Sequence, residues 1–165
     1  ISKSIRDLTK NTTENKIFKD INSYSSDSEV RFVGGCIRKI INKEIVNDID
    51  MATNLDPQKV CEVLKENKID YYETGIEHGT ITALIEGYKF EITSLREDIL
   101  TDGRHAKVKF SKNWKEDALR RDFTINSIYA DEDGNLFDPF EGKKDLENGF
   151  VNFIGDADKE LKKII

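Results

Sequence analysis

Asp48 and Asp50, flanking Ile49, have the types and spacing to do chemistry. On a strand, residues two apart share a face, so both carboxylates would point one way and Ile49 the other. Two carboxylates held close repel unless a cation lies between them, and hard oxygen ligands suit magnesium. Just upstream, Gly34-Gly35 and Arg38 supply a complementary half. Glycine lets backbone N–H groups approach an anion closely, a helix start offers unpaired donors, and a guanidinium can grip the same phosphate. A phosphate cradle beside an acidic metal pair points to metal-assisted phosphoryl or nucleotidyl transfer. Taken singly, Gly-Gly is commonly a turn and Asp-x-Asp a solvated strand end or helix cap. Their conjunction within VRFVGGCIRKIINKEIVNDIDMAT carries the inference.

The surrounding pattern supplies elements to position these groups. Val30 to Val33 is a short apolar strand, and Cys36 to about Glu44 has helical spacing, with Ile37, Ile40 and Ile41 on one side. A strand carrying Asp48 and Asp50 follows. Asp56 caps a helix with Pro57 at its first position, and Val60, Val63 and Leu64 form its apolar stripe to near Asn67. Cys61 reads as a small core residue beside that stripe. Ile69 to Thr74 is a strand, Gly75 to Gly79 a turn, and Thr80–Ile85 with Tyr88–Leu95 a hairpin about Glu86-Gly87. In the second arm Phe90, Ile92 and Ser94 alternate with Lys89, Glu91 and Thr93. Glu91 is therefore either a third acidic ligand or a solvated strand carboxylate.

Arg104, His105, Lys107, Lys109, Lys112 and Lys115 concentrate positive charge in one stretch. That stretch either steers a triphosphate or RNA end, or is a solvated, mobile loop. His78 and His105 read as turn or surface residues, and Trp114 as a core anchor rather than a base-stacking platform. Glu116 to Arg121 looks helical and runs into Arg120-Arg121-Asp122-Phe123-Thr124-Ile125-Asn126. Phe123, Ile125 and Ile128 there suggest a buried strand or helix edge. The two arginines are either an ordinary exposed cluster or, beside the glycines, a triphosphate clamp with Asp122 holding one guanidinium. Turns at Asp133-Gly134 and Phe137–Gly142, a short helix Lys144–Glu147 and a strand-like run Phe150–Ile154 complete the pattern. Residues 1–28 read as one or two short helices.

Composition narrows the class. A chain of 165 residues that is 37% hydrophobic suffices for one domain, or one domain with a fragment of another. The net charge of −6 disfavours a broadly basic nucleic-acid binder, so any RNA contact is local or made elsewhere. No apolar run reaches the length of a membrane span, and no signal peptide is evident. Cys36 and Cys61 are too few for a disulfide framework or zinc site, and a cytoplasmic location is expected. The first residue is Ile, not Met, so the true N-terminus need not be in view.

GGCIRK, DIDMAT, GIEHGTITALIEGYKFEITSLREDILTDGRHAKVKF and RRDFTINSIYADEDGNLFDPFEGKKDL occur in this order. Together they closely resemble the catalytic head of bacterial tRNA nucleotidyltransferases and poly(A) polymerases. This is the class II, CCA-adding branch of the polymerase-beta-like nucleotidyltransferases, and the likeness spans roughly residues 30–155. It implies an α/β (α+β) fold, a small mixed sheet flanked by helices, that binds magnesium. Asp48 and Asp50 match the metal pair and Glu91 the third acidic position. Gly34, Gly35 and Arg38 match the part that grips the triphosphate. Arg121, with Arg120, Asp122 and Asn126, matches the block that contacts the nucleotide sugar and phosphates. The implied reaction is attack of a tRNA or RNA 3′-hydroxyl on the α-phosphate of CTP or ATP, releasing pyrophosphate, without a protein general base.

Two departures from the resemblance stand out. Lys39 replaces the usual Asp, and Ile40-Ile41-Asn42 replaces Leu-Leu-Gly; Lys39 either strengthens phosphate binding or disturbs an ion pair. Family members also continue into a neck and body that read the base and hold tRNA, a pattern that fades over residues 158–165. The expected organisation is a helical segment at 1–28, the head at 29–155, and a truncated or degenerate neck at 156–165. A rival expectation is an inactive remnant, or a head dependent on a separately encoded neck-and-body chain. A small antibiotic- or toxin-type transferase sharing only the fold agrees less well with GRHA and RRDFTIN.

Overall fold

The computed structural model describes residues 12–44, 49–101 and 105–155. Val30–Val33 forms β1, with Val30 and Phe32 fully buried on one face. Gly34 ends the strand at φ 70°, ψ −123°, where a side chain would be strained, and helix α2 follows at Gly35–Ile41. This helix stops short of the predicted Glu44. Lys43 turns left-handed (φ 59°), and Asn42, Lys43 and Glu44 donate back to Arg38, Ile40 and Lys39, closing its end without a glycine.

β2 (Ile49–Thr53) returns antiparallel to β1. Asp56 then caps helix α3 (Pro57–Glu66) by accepting from the Lys59 amide, as its sequence predicts. β3 (Asp70–Gly75), a 3-10 turn at Ile76–His78, β4 (Thr80–Ile85) and β5 (Tyr88–Ser94) follow. Glu86 and Gly87 both take positive φ, matching the hairpin to the strand twist. β6 (Arg96–Thr101) and β7 (His105–Phe110) pair as a separate ribbon, so much of the basic stretch is a strand rather than a loop; Arg104 lies outside the described residues. Helix α4 (Trp114–Leu119), a 3-10 turn (Thr124–Asn126), β8 (Tyr129–Ala130), β9 (Leu136–Phe137) and helix α5 (Gly142–Glu147) complete the chain. The run expected as a last strand makes one bridge, Phe123 to Phe153, and leaves Phe150 and Val151 exposed.

The main sheet runs β3-β4-β5-β2-β1-β8-β9, antiparallel throughout except for the parallel pair β2–β5. One face packs on helix α1 (Thr12–Asn22) through Ile17, Phe18 and Ile21, and on α2 and α3. Among the described residues the other face is covered towards β1 and β8, by a second cluster of Val33, Ala52, Leu95, Ala118 and Tyr129. Trp114 seals this cluster, edge-on to Tyr129, with the Arg31 guanidinium 4.0 Å above its ring. It is thus the core anchor that its sequence predicts. Among the described residues no helix is long and apolar enough to cross a membrane.

α5 meets the Thr124–Asn126 turn at Gly142. A Cβ there would lie 2.1 Å from the Thr124 carbonyl oxygen and 2.7 Å from its carbon. Asp138 fixes the approach by accepting from the Gly142 and Lys143 amides (2.7 and 3.0 Å). Gly142→Ala is expected to push the turn away and cost roughly 2–3 kcal/mol. A thermal melt should read this as a Tm fall of roughly 4–12 °C.

Candidate active site

The uncovered half of the sheet floors a cavity of about 550 Å³. Ile49 and Met51 are spent on the core, which turns Asp50 to the opposite face. Phe90 and Ile92 do the same for Glu91. The parallel register then sets Asp50 directly beside Glu91, and both line the cavity. Asp48 lies outside the described residues. Gly34 and Gly35 line the cavity at the β1 end, and His78, Thr80 and Thr93 at the β4–β5 end. Arg96, Arg120 and Arg121 bring positive charge to the same space.

The glycine turn has no side-chain cap. With seven residues, α2 is a weak dipole, so charge at this end must come from arginines. Arg38 folds back over Gly35, its Nη2 4.0 Å from where a Cβ would sit, and its Nη1 donates to Asn126 Oδ1 (3.1 Å). Lys39 is half-buried on α2 and does not line the cavity. Beneath the turn, the Cys36 thiol donates to the Val33 and Asp50 carbonyls (3.5 and 3.6 Å). Burial pushes this thiol up to about 11, so it acts as a neutral tie between the turn and β2.

The arginine pair is organised by Asp117, which has no distinguishing sequence signal beyond lying one helical turn before Arg120 and Arg121. Its carboxylate is 1% exposed. It accepts from Arg120 Nε (3.0 Å), Arg121 Nη2 (3.3 Å), the Tyr129 hydroxyl (2.6 Å) and the Arg96 amide (3.1 Å). Arg121 Nε also donates to the Tyr129 oxygen (3.1 Å). This corrects the assignment of the guanidinium-holding role to Asp122. That carboxylate instead accepts from the Phe123 amide (2.7 Å) and Asn126 Nδ2 (3.3 Å), because the chain turns outward after α4.

Burial would raise the Asp117 carboxyl, but Arg121, Arg120, the Tyr129 hydroxyl and the Arg96 amide outweigh it and hold it below its ordinary value. Burial likewise raises the Tyr129 phenol, keeping it a donor. The folded carboxyl therefore titrates below the unfolded one. Its stabilisation is complete above about pH 4 and declines as acid protonates the unfolded chain first. The stability gap between wild type and Asp117→Asn, from urea unfolding, is expected to narrow between about pH 7 and pH 3.

Residues 30–152 match the model of the poly A polymerase head domain, and the chain belongs to that family. It is 44% identical over 136 residues to the human CCA tRNA nucleotidyltransferase 1, mitochondrial, which covers 82% of this chain and 31% of that protein. It is 39% identical over 147 residues to the CCA-adding enzyme of Lactobacillus johnsonii, covering 88% and 35%. The chain thus spans about a third of the length of the curated relatives it matches. Among solved structures, the Bacillus stearothermophilus CCA-adding enzyme in complex with CTP superposes with a TM-score of 0.77 at 28% identity. That match covers 90% of this chain and 34% of the other. A tRNA nucleotidyltransferase complexed with a primer tRNA and an incoming ATP analog shares the fold, with a TM-score of 0.60 at 22% identity, covering 92% and 39%.

Proposed function

We propose that this chain is the catalytic head of a nucleotidyltransferase that adds CMP or AMP, from CTP or ATP, to a tRNA 3′ end and releases pyrophosphate. The observation that carries this reading is the in-register Asp50–Glu91 pair sharing one cavity with Gly34-Gly35 and Arg121. The donor chemistry suits magnesium: adjacent hard carboxylates repel each other, and a divalent cation relieves that repulsion. Asp50, Glu91 and, by its place in the sequence, Asp48 would hold it. A divalent cation held by these carboxylates would supply Lewis acidity to the attacking hydroxyl and to the leaving charge.

The chain's own groups supply the positioning. Gly34 and Gly35 let main-chain donors approach the triphosphate, while Arg38, Arg120 and Arg121 neutralise it. Asn126 orients Arg38, and Asp117 orients Arg120 and Arg121. These groups recognise phosphates, which CTP and ATP share. Calorimetry with magnesium is therefore expected to give affinities for the two nucleotides within about tenfold of each other. Absence of binding to both would contradict the proposal.

A second reading is a head that transfers nucleotides only together with neck and body parts supplied by another chain. The exposure of Phe150 (59%) and Val151 (61%) beside the Phe123–Phe153 pair favours it. Primer extension on tRNA ending before CCA separates the two readings. Extension by the chain alone supports the first, and extension only with added cell extract supports the second.

A further inference from the structure

We infer that His78, Arg96 and the Thr80–Thr93 hydroxyl pair form the acceptor side of the cleft, holding the last nucleotide of the RNA by its phosphodiester and ribose. This rests on the nucleotidyl-transfer reading of the cavity. Strand order supplies the argument. Across the cavity floor the strands run β4, β5, β2, β1, with Glu91 and Asp50 on the two middle ones. Gly34 and Gly35 follow β1, and Arg121 is tied to the same end by Tyr129, which pairs with Val33. The triphosphate therefore occupies the β1 end. In phosphoryl transfer the attacking and leaving oxygens lie roughly in line. The incoming hydroxyl must then approach from the other side of the carboxylate pair, over β4 and β5.

That side is built to present donors. The Ile76–His78 turn is fixed by two main-chain ties, Gly79 N to Ile76 O (3.0 Å) and Ser94 N to Gly79 O (2.9 Å), and by the Arg96 guanidinium, whose Nη1 donates to the His78 carbonyl (3.1 Å). The Phe110 ring closes over Gly79, where a Cβ would lie 2.7 Å from Cε1 at a φ of 85°. None of these ties uses the His78 imidazole, which is 64% exposed at the cavity with Glu77 Oε1 3.7 Å from its Nε2. An imidazole donates an N–H in either protonation state, so it can bind a phosphodiester oxygen. The backbone of Arg96 is anchored by Asp117, and its side chain lines the same wall. In a chain of net charge −6, this gives the RNA end a local cationic contact that composition does not suggest. Thr80 and Thr93 share a hydrogen bond (3.1 Å) across the strand pair, and either hydroxyl can be exchanged for a ribose 2′-hydroxyl.

The test uses a fluorescently labelled single-stranded RNA with a free 3′-hydroxyl, read by anisotropy, beside calorimetry of CTP with magnesium. His78→Ala removes an exposed side chain whose side-chain neighbour, Glu77, is exposed as well. It is expected to weaken RNA binding roughly tenfold and to leave CTP affinity within about twofold of wild type, since a hydrogen bond to a charged group is lost on one side only. The chain has two histidines, so the imidazole signal absent from His78→Ala identifies His78 by NMR. RNA should shift that signal and CTP should not. Unchanged RNA binding in the variant, or an equal loss of CTP affinity, would overturn the assignment. A wild-type chain that binds CTP but no RNA would overturn it while leaving the proposed function standing. One that binds neither would remove both.

Discussion

Asp50→Asn is expected to lower nucleotide transfer by at least about a thousandfold, roughly 4 kcal/mol of transition-state stabilisation, while the protein stays folded. The substitution keeps the shape of the side chain and removes its charge. The packing of β2 does not depend on that charge: Ile49, Met51 and Thr53 are buried on the opposite face, and the Asp50 carbonyl continues to accept from Cys36. Stability should therefore change by no more than about 1 kcal/mol. What is lost is half of the carboxylate pair formed with Glu91, and with it the negative field that, in the proposed function, would concentrate a divalent cation at the cavity floor. Primer extension measures the rate, a thermal melt measures the fold, and calorimetry with manganese measures ion affinity. Wild-type turnover in the variant would refute the role of Asp50. The same loss of transfer is expected for Asp48→Ala, on the strength of its place two residues earlier.

Asp117→Ala is the substitution expected to damage the fold most, by roughly 3–5 kcal/mol. It removes one buried carboxylate and strands four donors at once: two guanidiniums, a phenol and a backbone amide. Arg121 is only 17% exposed and Arg120 14%, so water cannot readily replace the lost acceptor. In a chain of this length, such a loss corresponds to a Tm decrease of roughly 6–20 °C. Since a domain has only about 5–15 kcal/mol in total, much of its reserve would be gone. Asp117→Asn keeps an acceptor and should lose less. If the hub acts as one unit, the penalties of Asp117→Asn and Tyr129→Phe will fail to add in a double-mutant cycle, because both act on the same hydrogen bond. Simple additivity there would show that the pair is not coupled.

Elements governed by neighbours a few residues away were legible. The Asp56-Pro57 start of α3 and the Glu86-Gly87 hairpin turn depend on local backbone chemistry, and both form where their residues predict. The alternation in β5 likewise separated Phe90 and Ile92 from Glu91. The β6–β7 ribbon was not legible. Its strands carry charge on a pattern that an exposed loop would also show, and their pairing supplies the order that the pattern lacks. Asp122 was misassigned for a related reason. Adjacency to Arg121 suggested a contact, but one turn of α4 brings Asp117 under both guanidiniums instead.

Asp-x-Asp, the glycine pair, the tandem arginines and the order of the blocks that carry the family likeness are properties of the chain itself, present before it folds. The tertiary structure alone decided that Glu91 stands beside Asp50, that Asn126 takes Arg38 from 88 positions away, and that Asp117 binds Tyr129 and the Arg96 amide. The physical reason is that parallel pairing and buried polar networks join distant segments. Their partners are selected by which faces the core leaves open, and no local run of residues encodes that choice.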